Sequence, residues 1–147
     1  MIKKFDHVGL AVRDSEEVAA WLSKLFGFEM TETRTEPEAG FKSTLISNAE
    51  VTLELIQPIG PEGMIQKFIE KRGAGLHHIS IRVDDLDAEM KRLKSLGVQF
   101  IGEEAAQLDD SRAATAAFKK PRMPVASASN ITTFPVHTNL ISRKCAN

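Results

Sequence analysis

The sequence predicts an α+β fold made of two consecutive βαβββ modules whose strands form a mixed sheet. First, the chain repeats itself: residues 5–14 are restated by residues 76–85, with His7 aligned on His78. Second, each copy opens on a stretch that alternates like a strand and continues into a stretch with helical spacing. Third, 147 residues with 42% hydrophobic content suffice for one domain with a sizeable core, or for two small half-modules that share one.

A strand and a helix are predicted at the start of the first module. Residues 5–12 alternate in the strand manner, which places His7 on the face away from the larger apolar side chains. A helix is expected over residues 16–26, because Asp14 or Ser15 can cap its start and a glycine suits its end.

The remaining elements follow from turn residues between apolar stretches and from apolar residues at helical spacing. Strands are predicted at about residues 29–35, 41–47 and 51–57 in the first module and at 76–83, 98–103 and 113–118 in the second. Helices are predicted at about residues 61–72 and 86–96. The repeat calls for one more strand, near residues 125–134. The single domain thus divides into module 1 at about 3–60, a linking helix at 61–72 and module 2 at about 73–134.

The composition excludes several classes of partner. A formal charge of −1 and a pI near 6.4 provide no general attraction to nucleic acid or to membrane surfaces. No apolar run reaches the roughly 18 residues of a transmembrane helix, and the first residues lack the apolar region of a secretory signal. A single cysteine, Cys145, cannot form an internal disulfide. A reducing compartment, the cytoplasm, is therefore expected.

The last quarter of the chain differs from the rest. All 20 Asp and Glu lie within residues 1–110, and residues 111–147 contain none. Prolines at 121, 124 and 135 discourage long regular elements there. An irregular tail is therefore expected over about residues 119–147.

Two histidines and one glutamate suggest a metal site. Glu54 lies in a predicted strand between two leucines, where its charge must face either solvent or a compensating group. Taken alone, Glu54 reads as solvent-facing, and a strand histidine reads as a hydrogen-bonded structural residue. Together, however, His7, His78 and Glu54 form the nitrogen and oxygen ligand set that Zn, Co, Mn, Ni or Fe(II) accepts.

Four segments of the sequence resemble a known protein family. Residues 6–12 (DHVGLAV), 53–58 (LELIQP), 65–79 (IQKFIEKRGAGLHHI) and 83–86 (VDDL) resemble the vicinal oxygen chelate superfamily, also called the glyoxalase/bleomycin-resistance fold. Within it, the run through Gly-Leu-His-His is most similar to methylmalonyl-CoA epimerases. The likeness covers about residues 3–121.

The resemblance implies a cupped sheet around one divalent metal ion. His7, Glu54 and His78 match three of the family's ligands. The fourth ligand of the family, a Glu on the last strand, maps onto Asn130, and no Asp or Glu follows Asp110 in this chain. The missing carboxylate leaves three explanations of the tail. The protein is a diverged member of the family that uses Asn130, His137 or water as the fourth ligand, or it is a non-catalytic binder. Alternatively, the coding frame of its gene changed near residue 119.

The resemblance also implies roles for neighbouring residues. His77 faces the opposite way from its neighbour and is expected to be structural. One acid/base Glu of the epimerases corresponds to about Ser43, so Glu54 is the acidic catalytic candidate that remains. A lost general base typically costs about 10²- to 10⁴-fold in rate.

The function implied is a metal-dependent epimerase of a CoA thioester, acting through a metal-stabilised enolate. Two alternatives stay open: a glyoxalase I-like isomerase (a lactoylglutathione lyase), and an inactive or metal-free member of the fold that binds a small ligand. The expected partners are a small-molecule substrate, an acyl-CoA thioester, and a second copy of the chain in a homodimer.

Overall fold

The computed structural model describes residues 2–107, 113–118 and 137–143, with side chains from residue 3 to residue 101. The described residues form two compact units, one of residues 7–77 and the other of residues 2–6 and the described residues from 78 onward. The elements in chain order are β1 (Ile2–Ala11), α1 (Ser15–Phe26), β2 (Glu29–Glu36), β3 (Phe41–Asn48), β4 (Val51–Pro58), α2 (Met64–Arg72), β5 (Gly75–Val83), α3 (Leu86–Ser95), β6 (Phe100–Gln107), β7 (Ala113–Phe118) and β8 (His137–Arg143).

The unit of residues 7–77 contains four strands in the order β2-β3-β4-β1. Successive strands β2, β3 and β4 pair antiparallel, as short connections require. Strand β1 pairs with β4 in parallel, with Val8 opposite Leu53 and Gly9 opposite Glu54. This parallel pair needs the long connection that α1, β2 and β3 supply.

Helix α1 covers one face of this sheet. The side chain of Asp14 accepts hydrogen bonds from the backbone of Glu16 and Glu17 at 2.9 and 3.0 Å, so Asp14 is the cap and Ser15 the first helical residue. The core beneath the helix is apolar and comprises Leu10, Val12, Val18, Ala19, Leu22, Phe28, Ile46, Leu53 and Leu55. Leu25 and Phe26, which share the helical spacing, are 50% and 56% exposed.

Helix α2 contributes a second cluster in the same unit. Ile65 and Ile69 are each 2% exposed and pack with Ala11 and Ile56. The helix begins at Met64, later than the predicted residue 61, because Gly63 keeps an extended backbone at its start. Met64, the first residue of the helix, is 65% exposed.

The second unit repeats this plan with strands in the order β5-β8-β7-β6. Again the first strand pairs in parallel with the last, with His78 opposite His137, and the other neighbours are antiparallel. Helix α3 packs Leu86 and Met90 against Val83 and Phe100. The predicted order βαβββ is therefore observed in each half of the chain.

The last described strand is β8, at His137–Arg143. The expected strand near residues 125–134 lies outside the described residues, and the described strand beside β5 is β8, at His137–Arg143. Of the expected irregular tail, residues 137–143 form this strand, and the remaining residues lie outside the described ranges. The strand is stabilised by backbone hydrogen bonds to β5 and β7, which depend little on side-chain type.

Two glycines bring the β2–β3 turn against the loop before α2. Gly40 has a φ of 73°, which favours glycine, and its carbonyl accepts a hydrogen bond from the Ile59 backbone at 2.8 Å. A Cβ atom added to Gly63 would lie 2.7 Å from the Gly40 carbonyl oxygen. The two segments therefore approach more closely than side chains at these positions would allow.

Replacing Gly63 by alanine should lower the free energy of unfolding by about 1–3 kcal/mol, because the added methyl group collides with backbone rather than with a side chain that can move. Urea unfolding measures this change. The control is Glu62→Ala, where an exposed side chain 3.9 Å from Lys67 is removed at little cost. Equal stability of both variants would contradict the close approach.

An ion pair on α3 lies against the core of the second unit. Glu89 is 4% exposed, and Arg92 donates to its Oε1 from Nε at 3.1 Å and from Nη2 at 2.5 Å. These hydrogen bonds from the Arg92 guanidinium lower the pKa of Glu89 below its ordinary value of 4.5, although burial opposes the shift.

The lowered pKa predicts a pH-dependent contribution to stability. Because the folded protein binds the Glu89 proton more weakly than the unfolded chain, the contribution is complete above pH 4.5 and is lost as the pH falls through the folded value below it. The difference in unfolding free energy between wild type and Glu89→Gln should therefore shrink below pH 4.5. Urea unfolding across the acid range checks this. In an Arg92→Ala background most of this pH dependence should vanish, and its persistence there would assign it to another group.

Candidate metal centre

His7 and Glu54 lie side by side on the face of the sheet opposite α1. In the parallel pairing of β1 and β4, Gly9 lies opposite Glu54, and His7 shares the face of Gly9 because strand side chains alternate. The Nε2 atom of His7 is 3.3 Å from Oε2 of Glu54, and their side chains are 9% and 17% exposed. A nitrogen and an oxygen ligand atom thus lie close together at a position that is nearly buried from solvent.

Ser43 joins this pair from β3. It lies opposite Ile56, two residues beyond Glu54, and therefore on the same face. Its hydroxyl donates a hydrogen bond of 2.5 Å to Oε1 of Glu54. The two carboxylate oxygens of Glu54 are consequently distinguished: Oε1 accepts from Ser43 and Oε2 lies beside His7.

A second polar cluster, which the sequence reasoning missed, anchors β4 on its other face. Oε1 of Gln57 accepts from the backbone nitrogen of Ser15 at 2.8 Å and from its hydroxyl at 3.0 Å. Ser15 is completely buried, and Thr44 lies within 3.5 Å of its hydroxyl. The sequence does contain a signal for this cluster. Gln57 is three residues from Glu54 in the same strand, so alternation places the two side chains on opposite faces of the sheet. The cluster ties the start of α1 to the strand that carries Glu54.

In the second unit, His78 occupies the place on β5 that His7 occupies on β1. His78 and Ser80 are 5% and 1% exposed, and they alternate with Ile81 and Val83, which pack towards α3. His78 therefore lies on the face of its own sheet away from the helix of its own module. The equivalence of the two histidines that the repeat predicts is reproduced in the structure of each unit.

The neighbouring histidine has a different environment. The ring of His77 meets that of Phe68 edge to face, with 4.8 Å between centroids, and the Arg72 guanidinium lies 5.8 Å from the centroid of Phe68. This packing suits the structural role expected for His77. Asn130, the expected fourth ligand, lies outside the described residues, and for the alternative His137 only the backbone is described, in register with His78.

The donors present fit a divalent ion. Imidazole nitrogen and carboxylate oxygen are the ligands that Zn, Co, Mn, Ni and Fe(II) share. A carboxylate that is 17% exposed and bonded by a neighbouring hydroxyl also has the support that metal-binding carboxylates receive from their surroundings.

None of the described helices is long and apolar enough to cross a membrane.

Comparison with known proteins identifies the family. The sequence profile of the Glyoxalase/Bleomycin resistance protein/Dioxygenase superfamily matches residues 6–116. This chain belongs to that superfamily. The resemblance noted from the motifs is thereby confirmed.

Two relatives carry the same activity in their names. The Ethylmalonyl-CoA/methylmalonyl-CoA epimerase of Cereibacter sphaeroides is 36% identical over 103 residues, which cover 69% of this chain and 77% of the relative. The mitochondrial methylmalonyl-CoA epimerase of Homo sapiens is 32% identical over 102 residues, 69% of this chain. The match spans only 58% of the length of the human protein.

A solved structure shares the fold. The structure of a Streptomyces coelicolor methylmalonyl-CoA epimerase variant in complex with 2-nitronate-propionyl-CoA superposes with a TM-score of 0.78 at 20% identity, covering 99% of this chain and 100% of the other. The predicted α+β fold with two βαβββ modules is therefore confirmed.

Proposed function

We propose that this protein is a metal-dependent epimerase of a CoA thioester, with methylmalonyl-CoA as its substrate. The observation that carries the proposal is the pair formed by His7 and Glu54, 3.3 Å apart and nearly buried on the face opposite α1. A member of this superfamily with such donors has the means to hold a metal ion. The names of the relatives from Cereibacter sphaeroides and Homo sapiens supply the reaction and the substrate class.

The proposed ligands are His7, Glu54 and His78. His7 and Glu54 are supported by their contact within one unit, and His78 by the internal repeat, which aligns it on His7. The fourth position is proposed for Asn130, with His137 or water as the alternatives. A divalent ion bound there would supply Lewis-acid stabilisation of the negative charge that develops on substrate oxygen when a carbon-bound proton leaves.

Glu54 is also the proposed acid/base residue. It is the carboxylate beside His7, and Ser43, which donates to it, lies at about the position where the family resemblance implies a second acid/base Glu. A serine hydroxyl is too weak a base to remove a carbon-bound proton unaided. We therefore expect an epimerase about 10²- to 10⁴-fold slower than one with the full set of carboxylates.

The wild-type protein should bind one divalent ion, and His7→Ala, Glu54→Gln and His78→Ala should each weaken that binding by more than the roughly 10- to 100-fold typical of losing an outer partner. Isothermal titration calorimetry with Co²⁺ measures the affinity. The matched control is His77→Ala, which removes the adjacent imidazole that packs on Phe68 and should leave the affinity unchanged.

Two outcomes would count against this ligand set. Absence of Co²⁺ binding by the wild type favours the metal-free binder of small ligands. Equal losses in His77→Ala and His78→Ala would mean that the substitutions act through the stability of β5.

With Co²⁺ or Mn²⁺ added, the protein should exchange the α-proton of methylmalonyl-CoA with deuterium from the solvent, because epimerisation requires that proton to leave and return. Mass spectrometry of the thioester in D₂O measures the exchange. Glu54→Gln should abolish it, since both a proposed ligand and the proposed base are altered.

The same assay separates the enzyme alternatives. A glyoxalase I-like isomerase would use the same ligands but act on a hemithioacetal. Isomerisation of a hemithioacetal without exchange at methylmalonyl-CoA would make the epimerase proposal wrong.

We also retain the cytoplasm and a homodimer as proposals. The relative from Homo sapiens is named as a mitochondrial protein, so the compartment of this chain needs its own test. Cell fractionation and sedimentation of the purified chain test the two proposals separately.

A further inference from the structure

We infer that Ser43 is a positioning residue that orients the Glu54 carboxylate so that a metal ion meets its Oε2 atom. The inference rests on the proposed metal site. It assigns a role to Ser43, which is not one of the proposed ligands. It concerns contacts within the unit of residues 7–77 alone.

The length of the contact is the first argument. The Ser43 hydroxyl donates to Oε1 of Glu54 over 2.5 Å, at the short end of the range for hydroxyl hydrogen bonds. A hydrogen bond of this length holds the accepting oxygen close to its donor. The contact therefore fixes Oε1 on the side of Ser43.

The strand register provides the second argument. Glu54 lies opposite Leu45, whereas Ser43 lies opposite Ile56, so the hydrogen bond runs diagonally between the strands. The Glu54 side chain consequently leans towards Ser43 with one oxygen and presents the other beside His7, at 3.3 Å from Nε2. Without that bond, the terminal torsion of a glutamate is broad and nearly two-fold, so the two oxygens would exchange places easily.

This orientation affects which ions bind well. A carboxylate whose Oε1 already accepts from a hydroxyl offers Oε2 as a single ligand atom. Single-oxygen binding suits small ions with few ligands, such as Co²⁺, Mn²⁺ and Zn²⁺, whereas Ca²⁺ takes 6–8 oxygen ligands and often both oxygens of a carboxylate. Ser43 should thus favour transition-metal ions over Ca²⁺.

The same pair of strands contains a matched control. Ser47 on β3 and Thr52 on β4 lie opposite each other on the same face, and their hydroxyls are 3.1 Å apart. Neither residue is a proposed ligand. Loss of the Ser47 hydroxyl therefore reproduces the loss of a cross-strand hydrogen bond without touching Glu54.

The experiment compares wild type, Ser43→Ala, Ser43→Thr and Ser47→Ala by isothermal titration calorimetry with Co²⁺ and with Ca²⁺. Ser43→Ala should weaken Co²⁺ binding about 10- to 100-fold and reduce the preference for Co²⁺ over Ca²⁺. Ser43→Thr, which keeps the hydroxyl, should restore the affinity, and Ser47→Ala should match wild type. The visible absorption of bound Co²⁺ should change in Ser43→Ala and remain unchanged in the other variants.

The outcomes separate this inference from the proposal beneath it. Wild-type affinity and absorption in Ser43→Ala overturn the role of Ser43 while the metal site stands. Equal losses in Ser43→Ala and Ser47→Ala also overturn it, since they point to the stability of the β3–β4 pair. Absence of Co²⁺ binding by the wild type overturns the metal site and the role of Ser43 together. Thermal unfolding without metal checks that Ser43→Ala is folded, and Ser43→Val, which also lacks the hydroxyl and suits a strand, replaces it in the comparison if it is not.

Discussion

The candidate centre depends on the register in which β1 pairs with β4. Strand side chains alternate between faces, so a slip of one residue in either strand would exchange every side chain that faces α1 with one that faces away. In the observed register, with Gly9 opposite Glu54, the large apolar side chains of both strands lie beneath α1. The burial of those side chains under the helix strongly disfavours any other register. The apolar core on one face therefore determines which polar atoms meet on the other.

Charge on a nearly buried strand needs compensation, and the structure provides it locally. Moving an ionised carboxylate out of water without partners is very unfavourable, and the usual result is neutralisation or pairing. Glu54 has the Ser43 hydroxyl at 2.5 Å and the His7 imidazole at 3.3 Å. On the opposite face, Gln57 accepts two hydrogen bonds from Ser15, so the strand carrying Glu54 is attached to the first turn of α1. The position of the carboxylate is thus supported from both faces of the sheet.

The internal repeat explains why the second unit offers an equivalent histidine. Each unit pairs its first strand in parallel with its last, and the histidine lies on the face opposite α1 in the first unit and opposite α3 in the second. The two units are not chemically equal, however. The first carries Glu54 on its last strand, whereas the second carries no Asp or Glu after Asp110. The two units therefore share their strand pairing, whereas the carboxylate on the last strand of the first unit has no acidic counterpart late in the second.

Much of this architecture was determined by the sequence alone. Periodicity, helix caps and the repeat predicted every described element except β8. They also predicted which side chains share a face of β1 and of β4, and that His7 and His78 occupy equivalent positions in the two modules. These features are local, because alternation and capping involve residues a few positions apart. Tertiary structure decided the contacts of the candidate centre and the position of β8. These contacts are the 3.3 Å approach of His7 to Glu54, the hydrogen bond from Ser43 to Glu54, and the hydrogen bonds from Ser15 to Gln57. Each requires strands distant in the chain to pair in one register, and the free energy that selects the register comes from packing across the whole sheet, which no short stretch of sequence contains.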